Sequence, residues 1–258
     1  MNSITKKLKQ EILLFETVEE RLNHLKGKFK NKKAVIVATG PTLSNHVDDL
    51  KLLYDRDDVV LLSIKQGYNY LKGQSDFHIM NTYNFDKYKG YDYEHMNTII
   101  FYGLSKSYVH EQMEKLAIKP HPCDIWVPIV NPPFITYEEC IHMGHYDKML
   151  MLQDEPQSWW GTSILWEQAI PMALLLGCKD ISTIGWDNTT GKHVFNHKDV
   201  NYAIDSGQGV NEKRISDVTK HSHHLYDFFI KNNIEMKILS KVNPCDSRIK
   251  RIKNIKEI

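Results

Sequence analysis

Seven short apolar runs recur along the chain, most of them separated by stretches of helical character, and no other feature narrows the fold so far. They are "AVIVA" (34–38), "DVVLLSI" (58–64), "DFHIM" (76–80), "NTIIFYG" (97–103), "DIWVPIV" (124–130), "DISTIGW" (180–186) and "EMKILS" (235–240). Each is too short for a helix and rich in β-branched or aromatic residues, the pattern of a strand buried on both faces of a parallel sheet. Strands that alternate with helices build right-handed βαβ units. The expected fold class is therefore α/β: a doubly wound, mostly parallel, Rossmann-like sheet with helices on both faces. Its ligands should gather outside the carboxyl ends of the strands.

The rest of the chain is organised around that sheet. In residues 4–26, Ile4, Leu8, Ile12, Phe15, Val18, Leu22 and Leu25 fall at spacings of three and four, which predicts one amphipathic outer helix within an N-terminal segment 1–33. The Rossmann-like domain should span 34–243. Two long polar and aromatic stretches, about 130–160 and 188–214, fit the alternation poorly and are expected to form a lid of loops over the site. The tail 244–258 carries "RIKRIKNIKEI", with five basic residues among isoleucines; it suits either an anionic membrane surface or a solvated helix.

Composition sets the outer limits. With 258 residues and 41% hydrophobic content, the chain can bury one sizeable core. Lys and Arg number 33 against 32 Asp and Glu, so no global positive field exists to hold nucleic acid. Cys123, Cys140, Cys178 and Cys245 are too far apart for a zinc knuckle or redox motif and read as reduced. Neither a signal-peptide core nor a run of about 18 apolar residues occurs. The expected location is the cytoplasm, with peripheral contact at the inner membrane if the tail takes its first form.

Two motifs carry chemistry. After the first run come Thr39, Gly40, Pro41, Thr42 and Leu43. Gly40 lets backbone approach a ligand, Pro41 suits the first turn of a helix, and free amides there would attract a phosphate; an ordinary βα turn is the alternative. The turn is neither the phosphate loop of ATPases nor the three-glycine dinucleotide fingerprint. The second motif is "GTS" at 161–163, where Gly161, Thr162 and Ser163 open a helix expected to end at Gly177 and to lead through "CKDISTIGWD" to Asp187 and Asn188.

These blocks, "VIVATGPTL", "IMN" at 79–81, "GTS" and "LLLGCKDISTIGWD", resemble those of the bacterial sialyltransferases that transfer sialic acid from CMP-sialic acid to lipooligosaccharides. That family has a Gly-Pro-Ser-Leu turn after its first strand, a Thr-Ser pair opening a later helix, and a strand ending in Gly-Ile-Asp. A wider bacterial group shares the Gly-Pro-Ser-Leu start and the phrase like "LKGKFKNKKAVIV" before it. It includes glycosyltransferases linked to flagellin glycosylation and a pterin diphosphokinase. The resemblance covers about 34–240 in order.

What the resemblance implies for single residues is as follows. Gly40 and Thr42 match the turn that binds the donor nucleotide, with Thr39 where the family has Asn. Lys65 also stands at a family Asn and would face the donor carboxylate, unless it is simply solvated. Asn81 matches an Asn that contacts the nucleotide sugar, and Thr162 and Ser163 match the pair facing the donor. The family's Asp-Phe-Tyr is here Asp187, Asn188, Thr189: Asp187 is a catalytic candidate, Asn188 would face the donor nucleotide, and Tyr202 would substitute for the tyrosine that holds the departing phosphate. The general base, a His before the last helix in the family, would be His221 first, with His197, His223 and His224 as the other candidates. His221 shares a helical face with Val218 and Leu225 and could equally be a packing residue.

The implied reaction is glycosyl transfer with inversion, from a CMP-activated 2-keto acid sugar to a surface glycan or glycolipid of lipopolysaccharide or capsule biosynthesis. No cofactor or metal is expected, since amides and hydroxyls can stabilise one departing phosphate. Two alternatives stay open: a magnesium-dependent diphosphokinase, which would need carboxylates at strand ends, and a non-catalytic nucleotide-binding module of glycan assembly.

Overall fold

The computed structural model describes residues 3–80, 98–102, 111, 114–115, 122–126, 142–145, 169–187 and 212–258. Seven strands fall on the seven apolar runs, β1 starting one residue before its run: β1 (Lys33–Val37), β2 (Val59–Ile64), β3 (Phe77–Met80), β4 (Ile99–Tyr102), β5 (Asp124–Trp126), β6 (Asp180–Ile184) and β7 (Glu235–Leu239). An eighth, β8 (Lys250–Arg251), extends the sheet. The order is β5-β4-β3-β2-β1-β6-β7-β8 and every pairing is parallel. The α/β doubly wound expectation therefore holds.

Alternation along the strands builds two cores. Ala34 and Ile36 of β1, with Val60 and Leu62 of β2, face a cluster completed by helices α1 (Ser3–Ile12), α2 (Val18–Leu25), α4 (Ile170–Leu175) and α6 (Ser222–Lys231). Val35 and Val37, with Val59 and Leu61, face the other way. They meet the 3-10 helices Pro41–Asn45 and Val47–Leu53 and the short helix α3 (Gly67–Tyr70), with Leu71 just beyond it. Gly177 ends α4 as expected: its φ is 92°, its N–H donates to Leu174 O, and the Cys178 N–H donates to Ala173 O. This is the paired bonding of a glycine-closed helix terminus.

Two expectations are corrected. The single N-terminal helix is two helices, because Thr17 starts a new one: its side chain accepts from Glu20 N while the Glu20 side chain accepts from Thr17 N. This reciprocal cap satisfies donors that a continuous helix would bond elsewhere. The apolar spacing runs across the break because Ile12, Phe15 and Val18 keep step. The C-terminal tail is not a solvated helix either. Ile249, Ile252, Ile255 and Ile258 are buried and flank β8 and a 3-10 turn at Ile255–Glu257. No helix among the described residues is long and apolar enough to cross a membrane.

Candidate functional site at the β1 and β6 rim

The chain passes from β1 outward through β2 to β5, then returns to the other side of β1 with β6. Successive connections leave in opposite directions between β1 and β6, and in a sheet of this kind the crevice outside those carboxyl ends is where ligands bind. The two strands remain stitched past their ends, Ala38 N donating to Ile184 O and Gly40 N to Gly185 O, both at 2.8 Å.

The turn beyond them is held by Asp187. This carboxylate is 2% exposed. Oδ2 accepts from Thr42 N at 2.7 Å, and Oδ1 accepts from the Thr42 and Ser240 hydroxyls, each at 2.5 Å. An added Cβ on Gly40 would collide with Gly185 O and lie 2.6 Å from Asp187 Oδ2, so this glycine serves close contact within the protein; its own φ is an ordinary −69°. The expectation of free amides in this turn is corrected here. Gly40 N is bonded to Gly185, Thr42 N to Asp187 and Leu43 N to Gly40 O. The anion that the turn attracts is the protein's own.

The clamp continues into the segment after β7. Ser240 Oγ accepts from Val242 N and Asn243 N, Asn243 Nδ2 donates to Trp186 O at 2.7 Å, and Asp246 N donates to Ser222 Oγ at 2.7 Å. Ser222 opens α6, which leads into β7 and therefore begins at the carboxyl edge of the sheet. His221 immediately precedes it, between α5 (Glu212–Lys220) and α6. Asp187 and His221 thus belong to one edge, linked through 240–246.

His221 is half-buried at the junction of the two helices, whereas Val218 and Leu225 are buried. Its ring centroid lies 4.4 Å from that of His142, 6.1 Å from His223 and 6.2 Å from His224, and those last two are 3.9 Å apart. His142 Nε2 is 3.8 Å from Asp217 Oδ1. Burial and then the neighbouring His142, His223 and His224 hold the His221 imidazole below its ordinary pKa, against an opposing pull from Asp217. A neutral imidazole is the form that accepts a proton. Among the described residues, no group of three or more His, Cys, Asp or Glu is placed to hold a metal ion.

Of the remaining expected site residues, Thr39 is buried beside Gly40. Lys65 follows β2 with φ 49°, a left-handed conformation that costs a non-glycine residue about 1–3 kcal/mol and marks a specified turn. Asn81, Gly161, Thr162, Ser163, Asn188, His197 and Tyr202 lie outside the described residues. Sequence reasoning passed over Gly185, Ser240, Asn243 and Gln66. Gly185 had a visible signal, a glycine between strand and Trp-Asp; its φ is 73° and a Cβ there would sit 2.5 Å from Ala38 O. Ser240, the last letter of an apolar run, had none. No family model matches the chain, and no curated protein matches it significantly.

Proposed function

We propose that the chain is an inverting, metal-independent glycosyltransferase that moves an acidic 2-keto sugar, sialic acid-like or Kdo-like, from a CMP-activated donor to a bacterial surface glycan. The observation that carries the reading is the Asp187 clamp. It joins the "GPTL" turn and the "GWD" strand end, two of the blocks in which the chain resembles CMP-sialic acid-dependent enzymes, into one hydrogen-bonded unit at the sheet's switch point.

In this reading Asp187 is a positioning residue. It fixes Thr42 and Gly40 as the floor of the donor site, and the donor phosphate is met by other groups of the same edge. His221, neutral and at the start of α6, takes the proton from the acceptor hydroxyl as its oxygen attacks the anomeric carbon. The bond to the CMP phosphate breaks from the opposite face, and CMP leaves with the electron pair. The diphosphokinase alternative is disfavoured by the same clamp, since magnesium would need carboxylate oxygens at a strand end and both of Asp187's are committed to Thr42 and Ser240.

Thermal shifts with CMP, UDP, GDP and ATP, each with and without magnesium, test the proposal. Selective stabilisation by CMP in the absence of metal is expected. Stabilisation only by ATP with magnesium would establish the diphosphokinase reading instead, and no response to any nucleotide would contradict both.

A further inference from the structure

Gln66 is 4% exposed, and among the described residues neither Oε1 nor Nε2 of its carboxamide has a hydrogen-bond partner. Folded proteins pair nearly all such groups, because a dry amide loses its water bonds and gains nothing in return. Thr5, His46, Ser182 and Thr183 each leave one buried atom unpaired. Gln66 differs in leaving a donor and an acceptor on the same head group, and it differs in place.

β2 ends at Ile64, Lys65 turns the backbone at φ 49°, and Gly67 then comes so close to β1 that an added Cβ would lie 2.5 Å from Val37 O. Gln66 is therefore fixed at the carboxyl edge of β2, beside the end of β1 and the strand that feeds the Gly40–Thr42 turn. In Rossmann dinucleotide folds a side chain beyond the second strand meets a ribose hydroxyl, and Gln66 stands at the corresponding edge of this sheet.

A carboxamide suits two adjacent hydroxyls. Oε1 accepts from one, Nε2 donates to the oxygen of the other, and the group carries no charge to be buried or to repel a phosphate. Both atoms are closed to solvent, so a nucleotide must shift the side chain or its cover. That movement breaks no hydrogen bond of the carboxamide, because it makes none among the described residues. We infer that the Gln66 carboxamide recognises the ribose diol of the donor nucleotide and selects ribonucleotides over 2′-deoxyribonucleotides. The inference rests on the nucleotide-binding reading above.

Calorimetric titration of the full chain with CMP and with dCMP tests it, using the unaltered protein and Gln66→Met. The unaltered protein should bind CMP about tenfold or more tightly than dCMP, the loss expected when one partner of a buried hydrogen bond is removed. Gln66→Met should bind the two alike, and more weakly than the unaltered protein binds CMP, with a melting temperature no lower than the original. Equal binding of CMP and dCMP by the unaltered protein, which requires no variant to fold, overturns the inference and leaves the nucleotide site standing. So does a Gln66→Met protein that keeps the original ratio. Binding of neither nucleotide overturns the nucleotide reading and this inference with it.

Discussion

Gly40 is glycine because of what stands behind it: the Gly185 carbonyl and an Asp187 oxygen occupy the space a side chain would need. Gly40→Ala should therefore loosen the turn whether or not a ligand is bound. The expected cost is about 1–3 kcal/mol, as for other forced overpacking, read as a lower midpoint of urea unfolding at unchanged slope. An unshifted midpoint would mean that the contact is not tight. Asp187 could be recognised from sequence as a residue of the rim, but its role could not, because Ser240, 53 positions away, supplies one of its partners. In the proposed reaction His221 is the base. His221→Ala should reduce turnover by ~100 to 10,000-fold, the worth of a positioned base. Because burial and three neighbouring histidines lower its pKa, the acid limb of the rate profile should fall below the ordinary histidine value of 6.5. Near-normal turnover in the variant would remove His221 from the mechanism.

Among the elements, the strands were the legible part, since a central parallel strand is apolar on both faces and announces itself as a continuous run. The helices were less so. Apolar spacing across Ile12, Phe15 and Val18 concealed a break that the Thr17–Glu20 cap enforces, and the tail's isoleucines could be seen without showing that β7 would take β8 as a neighbour. The β2–β3 pair holds a polar feature with a measurable consequence. His78 lies across from Ser63, with Nδ1 2.7 Å from Ser63 Oγ, and burial depresses its pKa to about 3. Above pH 6.5 the residue is neutral in both folded and unfolded chains, so its contribution to stability is fully present. Below that value the unfolded chain takes up a proton that the folded chain refuses until about pH 3. Stability should thus fall with acidification through this window, by ~1 kcal/mol per pH unit from this group. Urea unfolding between pH 6.5 and pH 5 should show a smaller loss for His78→Asn; an identical loss would mean that His78 is protonated in the fold.

At the scale of the whole molecule, the sheet brings the turn after β1 to the same edge as blocks more than a hundred residues further along: the end of β6, the start of α6 and the segment after β7. In the proposed reading, the Asp187 carboxylate bound to Thr42 and Ser240 holds that edge in place, and the His221 imidazole of lowered pKa serves the transfer. The direct test is CMP release from CMP-N-acetylneuraminate and from CMP-Kdo, measured with a chelator present and lipooligosaccharide as acceptor. The account predicts saturable release from at least one of these donors, unchanged by the chelator and lost in His221→Ala. No release from either donor, with magnesium-dependent turnover of ATP by the same preparation, would contradict it.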